Sequence, residues 1–298
     1  MSVKVVFMGM YGQFSAIPLA RLMAAGVDVM AVVAPASGAP AAPIVVLDPP
    51  PSLQADFVLQ PTQRSIVHLA WDNAIPALAV SSLRHPQTLS LLRALRPGVI
   101  VVACFPLILP TSLLRLPKHG CFNLHPSLLP AMRGSDPLFW VFHEGYGAGI
   151  SLHRMSERVD AGDLVAQKPL EFPDGITYAE AEHTCAQWGA RLLLDAIRSL
   201  ERGGLETYPQ DETRASYFPP PSRDDFIVTP EWSARRAFNF MRGVQGLGSP
   251  IVRVDDREFV VREAVGYDVG KTTAETHHVE NGELWLRCAD GVVRLSVA

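Results

Sequence analysis

The chain has 298 residues, of which 48% are hydrophobic and 19% are charged, and its formal net charge is −4. This length suits two domains, or one large domain with an appendage, and the composition is that of a folded protein. The negative net charge argues against a protein that grips nucleic acid through its overall charge, although it leaves room for a local basic patch.

The cysteines and the apolar runs narrow the class of protein further. The four cysteines lie far apart and form no CxxC pair, so neither a zinc site nor a small disulfide framework is expected. No stretch approaches the ~18–20 apolar residues of a membrane span, and the first apolar run is too short for a signal peptide. We expect a reduced, cytoplasmic protein without a metal and without a membrane partner.

The first part of the chain alternates strands and helices. In chain order, the pattern predicts strand 3–8, helix 16–25, strand 27–33, helix 65–74, strand 77–80, helix 86–95, and strands 99–104 and 120–124. Several of the strands are continuous apolar runs, which are typical of a parallel sheet buried on both faces. A Rossmann-like, doubly wound α/β domain is therefore predicted through about residue 125.

Residues 34–61 interrupt this alternation. They are rich in Pro, Ala and Gly, and they contain Asp48 and Asp56 but no Lys or Arg. We interpret them as a surface insertion, in which 44–47 is a candidate for a short strand.

The second half of the chain begins with longer elements and ends with short ones. The pattern predicts strands 150–155 and 164–170, helix 178–201, a proline-rich linker over 208–223, helix 233–243, and strands 251–254, 258–264, 284–288 and 292–297. The short alternating strands at the end are typical of a small β-barrel domain.

Three polar residues stand where such a sheet would place its ligands. Asn123 and His125 lie two residues apart on one face at the carboxyl end of a predicted strand, and Asp160 lies in an acidic, glycine-containing turn. An amide can stabilise a developing oxyanion by about 3–4 kcal/mol. An imidazole can relay a proton, and a carboxylate can orient that imidazole and tune its pKa. Singly, each residue also has a structural reading, as a capping or turn residue or as a hydrogen-bonded histidine.

Two separated motifs carry a family resemblance. The first is Asn-Leu-His-Pro-Ser-Leu-Leu-Pro at 123–130, followed by Arg133-Gly134; the second is Gly-Ile-Ser-Leu-His at 149–153, followed by Asp-Ala-Gly-Asp at 160–163. In order and spacing they resemble the folate-dependent formyltransferases, and the segment 101–110 resembles the part that lines the pterin pocket in that family. The similarity covers most of the chain, and the methionyl-tRNA formyltransferases are nearest in architecture.

The resemblance implies a donor and a set of roles. The formyl donor would be N10-formyltetrahydrofolate, with Asn123 and His125 polarising the formyl oxygen. Asp160 would position a water molecule or the imidazole to accept the proton of the amine. The residues implied to frame the pterin ring are Cys104, Phe105, Leu107, Ile108 and Val159.

Four neighbouring residues rank second. His153 is interpreted as a support for the catalytic residues, and Asp163 as a residue that holds the turn presenting Asp160. His143 is a further candidate. Asp136 either contacts the acceptor or is a neutral change in the loop, and the second reading is preferred.

The resemblance also implies domain boundaries and leaves the acceptor open. The expected catalytic domain covers 1–207, the linker 208–224, and an OB-like barrel 225–298. The tRNA-directed enzymes carry a basic insertion where 34–61 has no base, and the segment 210–242 has five arginines against five acids. Because phosphate binding depends on Lys and Arg, we expect a small-molecule amine as the acceptor.

Other functions stay open at this point. One is a divergent methionyl-tRNA formyltransferase that acts on initiator tRNA, and another is a non-catalytic folate-binding protein of the same fold. A dinucleotide-dependent dehydrogenase fits less well, because Gly9-Met-Tyr-Gly12 is not the GxGxxG fingerprint.

Overall fold

The computed structural model describes residues 2–38, 42–49, 64–145, 147–280 and 282–298. They divide into two compact units, each made of three segments. The first unit holds the chain up to 133, 149–168 and 183–215, and the second holds 134–148, 169–182 and 216–298. The domain boundaries given by the sequence stay a prediction.

The described residues form sixteen strands and seven α-helices. The strands are β1 Val5–Gly9, β2 Val29–Pro35, β3 Ile44–Val46, β4 Ala77–Val80, β5 Val99–Ala103, β6 Cys121–His125, β7 Arg133–Gly134, β8 Ala148–Arg154, β9 Leu164–Leu170, β10 Tyr217–Phe218, β11 Ile227–Val228, β12 Ile251–Val254, β13 Arg257–Val269, β14 His277–Glu280, β15 Glu283–Arg287 and β16 Gly291–Val297. The helices are α1 Gln13–Ala24, α2 Ile66–Asp72, α3 Pro86–Ala94, α4 Thr111–Leu114, α5 Pro137–Glu144, α6 Tyr178–Glu201 and α7 Ala234–Gly243.

The first unit is built on an eight-stranded mixed sheet in the order β3-β4-β2-β1-β5-β6-β8-β9. The pairs from β4 to β6 are parallel, and β3 and β8 run antiparallel to their inner neighbours. Strands β1, β4 and β5 are buried along their whole length, as expected for apolar runs covered on both faces. The predicted α/β sheet is confirmed.

The insertion after β2 is only partly within the described residues. Its candidate strand is confirmed as β3, which pairs antiparallel with β4. Residues 39–41 and 50–61 of the predicted insertion lie outside the described residues.

The antiparallel pair β6 and β8 sets the geometry of the polar residues. In this register Asn123 lies opposite His153, and His125 lies opposite Ser151. Directly opposite side chains on one face of such a pair are close enough to contact each other. The register therefore brings a second histidine beside Asn123.

The second unit contains a six-stranded sheet in the order β11-β12-β13-β16-β15-β14. The predicted C-terminal strands are confirmed, whereas their closure into an OB-like barrel stays a prediction. Helix α5 was not predicted from the sequence; it begins with Pro at its first turn and carries a run of buried aromatic residues. Gly243, the last residue of α7, packs against the Phe142 ring so closely that a Cβ there would overlap the ring.

Helix α6 is the longest element, and it ends where the sequence predicts. Gly203 follows it with φ +89°, a conformation that glycine adopts without steric cost. Within the described residues, no helix combines the length and the apolar character needed to cross a membrane.

Candidate active site

His125 ends strand β6 and is almost fully buried, with 4% of its surface exposed. Its Nε2 lies 2.7 Å from the carbonyl oxygen of Met132. Because a carbonyl only accepts, Nε2 carries the proton of the neutral ring. The other nitrogen, Nδ1, lies 3.7 Å from Asp160 Oδ2. The nitrogen that can accept a proton therefore faces the carboxylate.

Asn123 joins the same cluster through its amide nitrogen. His153 Nδ1 donates to the carbonyl oxygen of Arg154 at 2.8 Å, so its Nε2 is the accepting nitrogen of the neutral ring. Asn123 Nδ2 donates to that Nε2 at 3.2 Å and to Asp160 Oδ1 at 3.4 Å. These bonds orient the amide so that one N–H faces His153 and the other faces Asp160.

Burial dominates the electrostatics of His125. It lowers the pKa of the imidazole below its ordinary value; the Asp160 charge opposes this, His153 adds to it, and the hydrogen bond to Met132 opposes it. The net direction is downward, so His125 is neutral at neutral pH. A neutral imidazole is the form that can accept a proton.

The turn that carries Asp160 is held by Gln210. The amide nitrogen of Gln210 donates to the carbonyl oxygens of Asp160 at 2.8 Å and Gly162 at 2.6 Å. Asp160 itself has φ +50°, which Asp tolerates better than most residues. At Gly162, a Cβ would overlap the carbonyl oxygen of Arg154. The turn therefore depends on a glycine and on a distant amide.

A buried arginine holds Gln210 in turn. Arg133 is fully buried, and its Nε and Nη2 donate to Gln210 Oε1 at 3.1 and 2.7 Å. Arg133 also donates twice to the Glu212 carboxylate, at 3.2 and 2.9 Å. Arg133 and then Arg158 lower the pKa of Glu212 to about 2, so its carboxylate stays charged and compensates the buried cation.

The loop between β6 and Arg133 is fixed by a serine on β8. The Ser151 hydroxyl donates to the carbonyl oxygen of Ser127 at 2.6 Å and accepts from the Leu129 N–H at 3.1 Å. Gln167 adds a hydrogen bond to the same hydroxyl at 2.8 Å. These contacts set the path of the loop that returns Met132 to His125.

Four of the five residues implied to frame the pterin ring follow β5 directly, and the fifth, Val159, immediately precedes Asp160. Phe105 and Leu107 are half-buried and pack against the core of the sheet. Ile108 and Val159 are 71% and 47% exposed, which is unusual for large apolar side chains. Cys104 is exposed and lies with its sulfur 3.7 Å from the sulfur of Met10. Met10 is a partly exposed neighbour that the sequence did not suggest.

The second-ranked residues have different surroundings. His153 contacts both Asn123 and Asp160, with its Nε2 3.5 Å from Asp160 Oδ1. The carbonyl oxygen of Asp163 accepts from the Arg154 N–H at 2.8 Å, as a residue that holds the turn would.

Asp136 and His143 belong to the second unit. Asp136 precedes α5 with φ +51°, and burial raises the pKa of its carboxyl. The His143 imidazole lies 2.7 Å from Glu144 and contacts the aromatic ring of Phe139.

Two supporting residues had no recognisable signal in the sequence. Gln210 lies in the stretch that was interpreted as a linker, and the backbone acceptor at Met132 depends on the path of a loop. Arg133 does carry a signal, as part of the Arg-Gly pair that follows the first motif, as do His153 and Asp163 in and after the second motif.

The doubly wound sheet, with an amide, an imidazole and a carboxylate at the carboxyl end of one strand, defines an α/β group-transfer enzyme. The model of the formyl transferase family matches residues 22–197. Methionyl-tRNA formyltransferase of Listeria monocytogenes serotype 4a is 30% identical over 97% of this chain and 87% of its own. The chain belongs to the formyl transferase family.

Two solved structures share the fold. An N-formyltransferase from Helicobacter canadensis, in complex with folinic acid and dTDP-3-aminofucose, superposes with a TM-score of 0.66 and 15% identity, covering 100% of this chain and 99% of that one. HypX from Aquifex aeolicus, in complex with tetrahydrofolic acid, gives a TM-score of 0.62 and 16% identity. It covers 99% of this chain, which spans 44% of HypX.

The prediction of a formyltransferase is confirmed by the family. The two proteins of the same fold were solved with reduced folates, which is the class of donor expected from the sequence. One relative is named for tRNA, and one protein of the same fold was solved with an amino sugar nucleotide, so the acceptor of this chain stays a prediction.

Proposed function

We propose that this protein transfers the formyl group of N10-formyltetrahydrofolate onto a primary amine, and that Asn123, His125 and Asp160 carry out the transfer. One observation carries the proposal. The three side chains converge, with Asp160 3.4 Å from Asn123 Nδ2 and 3.7 Å from His125 Nδ1. Two of the three come from one strand end, and the third comes from a turn that other residues hold in place.

The transfer proceeds through a tetrahedral intermediate. The neutral amine attacks the formyl carbon, a carbon–nitrogen bond forms, and the formyl oxygen becomes an oxyanion. The 3.4 Å bond from Asn123 to Asp160 is long, and therefore weak, for a hydrogen bond. Because this N–H is the more weakly held of the two, we assign it to the oxyanion. A placed amide donor of this kind contributes about 3–4 kcal/mol to the stabilisation of the transition state.

Proton transfer is assigned to His125. Its Nδ1 accepts the proton that the attacking amine loses, and the imidazolium is stabilised by Asp160 at 3.7 Å. The same proton then passes to N10 of the folate as the bond from N10 to the formyl carbon breaks. The products are the formylated amine and tetrahydrofolate, and His125 is neutral again.

The folate is assigned to the exposed apolar residues beside the cluster. Cys104, Ile108 and Val159 would cover the pterin, while Phe105 and Leu107 anchor the segment to the core. Covering apolar surface of this kind is favourable in water. The folates held by the two structurally similar proteins support a folate as the ligand of this fold.

The proposed acceptor is a small-molecule amine. The composition of 34–61 supports it, because this insertion contains no Lys or Arg for phosphate contacts. The dTDP-3-aminofucose in the Helicobacter canadensis structure shows that one protein of this fold binds an amino sugar.

Initiator methionyl-tRNA is the second candidate acceptor. The Listeria monocytogenes relative, whose name specifies tRNA, matches nearly the whole chain.

The test is a formyl-transfer assay with N10-formyltetrahydrofolate as the donor. Amino sugars, amino-acid derivatives and charged initiator tRNA are offered as acceptors, and release of tetrahydrofolate is followed together with formylation of each acceptor. We expect turnover with a small amine and none with tRNA at low salt. Turnover with tRNA alone would establish the second candidate acceptor.

The roles of the residues are tested in the same assay. We expect His125→Ala and Asp160→Asn each to lower kcat at least about 10²-fold. This is the lower limit of the contribution that general acid–base catalysis usually makes. His68→Asn, which changes an exposed histidine on α2, is the matched control and should leave kcat unchanged. A folded His125→Ala protein with undiminished turnover would refute the assignment.

A further inference from the structure

A second concave site lies at the other end of the same strands. A cavity of about 680 Å³ opens beside Lys4, Gly98 and His119, which precede β1, β5 and β6. The polar cluster described above lies at the carboxyl end of β6, and four residues of strand span about 13 Å. The cavity therefore lies at the amino ends of these strands, away from the proposed active site at the carboxyl ends.

The cavity is lined by four permanent cations from four separate segments, Lys4, Arg96, Lys118 and Arg154. Among the described residues, none of the four has a carboxylate within 4.0 Å. The one acid in the lining, Glu201, is already paired with Arg198 at 2.9 Å. The guanidinium of Arg154 lies over the Phe122 ring, 5.6 Å from its centroid, so what the four cations lack is a carboxylate partner.

The surroundings of Arg154 and His119 support a positive field in the cavity. The Nε of Arg154 is buried without a hydrogen-bond partner among the described atoms. Burial, then Lys118 and Arg154, lower the pKa of His119. The basic character also extends past the rim, because a neighbouring cavity of about 500 Å³ shares Arg96 and Lys118 and adds Arg93.

We propose that this cavity binds a small organic molecule that carries two or more phosphate groups. Four cations around one hollow suit several phosphate oxygens held at once, since Arg and Lys pair with phosphate by charge-assisted hydrogen bonds. A volume of about 680 Å³ is in the range of small-molecule sites. The described lining has no Phe, Tyr or Trp on which the bases of a single-stranded nucleic acid could stack.

The test uses inorganic tripolyphosphate and the full chain, with binding measured by calorimetry at low ionic strength. We expect the double variant Arg96→Gln/Lys118→Gln to weaken binding at least about tenfold, because two of the four phosphate partners are lost. The matched control is Arg21→Gln/Arg84→Gln, which removes the same charge from exposed positions outside the cavity and should change the Kd less than twofold.

Three outcomes would overturn the proposal. They are no binding by the wild-type protein at millimolar tripolyphosphate, equal weakening in the control variant, and tighter binding of a short RNA duplex than of tripolyphosphate. Equal weakening would mean diffuse attraction only, and the RNA result would make the site a nucleic-acid surface. Formyl transfer without polyphosphate should be unchanged in both variants, which separates this test from that of the proposed function.

Discussion

The two histidines of the polar cluster carry their protons on different ring nitrogens, and the main chain decides which. The carbonyl oxygen of Met132 accepts a hydrogen bond from His125 Nε2–H, and the carbonyl oxygen of Arg154 accepts one from His153 Nδ1–H. His125 therefore presents Nδ1 as its accepting nitrogen, and His153 presents Nε2. The first can accept the proton of an amine, while the second orients the amide of Asn123.

The pKa of His125 should respond to the charge of Asp160. Burial lowers this pKa and the carboxylate of Asp160 opposes the shift. Asp160→Asn removes that opposition, so we expect the pKa of His125 to fall further. The change is read by NMR titration of the His125 ring in labelled protein from pH 7 downward.

The control for this titration is Asp72→Asn, which neutralises an exposed carboxylate paired with Arg64. It should leave the His125 pKa unchanged, and a rise of that pKa in the Asp160→Asn protein would contradict the geometry.

The depressed pKa of His125 also affects how stability depends on pH. The unfolded chain binds a proton near pH 6.5, so the free energy of unfolding should decline as pH falls below about 6.5.

At the scale of elements, the positions of the strands in the sequence were predictable, but the register in which neighbouring strands pair was not. Apolar runs and glycine stops located β1, β5 and β6, and the motif placed Asn123 and His125 on one face. The contact of His153 with Asn123 depends on the antiparallel register of β6 and β8. Register follows from the path of the intervening loop and helix, which no local pattern encodes.

Helix α5 and the contacts of the segment around Gln210 escaped prediction for different physical reasons. Helix α5 is short and mostly buried, so it lacks the alternation of polar and apolar positions that reveals a surface helix. The segment around Gln210 is rich in proline and turns, which suggested a linker. Its contacts with Arg133 and Asp160 are long-range and invisible to any periodicity.

Gln210 should control activity without contacting the substrate. Gln210→Leu removes both donors to the Asp160 turn and leaves Arg133 without its amide partner. Buried groups that lose a hydrogen bond cost about 1–3 kcal/mol each. We expect a lower free energy of unfolding in urea and a fall in kcat, because the carboxylate of Asp160 is no longer held toward His125.

The matched control is Gln187→Leu, at an exposed position on α6, which should leave both quantities near wild type. A purely structural role for Gln210 would lower stability but leave kcat per folded molecule unchanged. That split would contradict positioning of Asp160.

At the scale of the whole molecule, the first unit contains every side chain assigned to the transfer. It gathers them from segments far apart in sequence, so the site forms only when that unit is folded. The same sheet has the polar cluster of Asn123, His125 and Asp160 at the carboxyl end of β6 and cations without a carboxylate partner at the amino ends of its strands. The net charge of −4 does not reveal this local cluster of cations, because a net charge sums over the whole chain and carries no information on where the charges lie.

Folate binding should stabilise the whole chain by mass action. A ligand at a hundred times its Kd adds about 2.7 kcal/mol to the free energy of unfolding. Folinic acid should therefore raise the Tm of the wild-type protein in thermal unfolding. Ile108→Asp should abolish that rise, because a charge would replace the apolar surface assigned to the pterin. It should leave the Tm of the ligand-free protein unchanged, since Ile108 is 71% exposed.

Val269→Asp is the matched control for this measurement. Val269 is 62% exposed at the end of β13 in the second unit, so the same change there should preserve the rise in Tm with folinic acid. If both variants respond to folinic acid like the wild type, the apolar residues after β5 do not bind the folate. If both lose the response, the loss is not specific to the residues after β5, and the assignment of the pterin to them is contradicted.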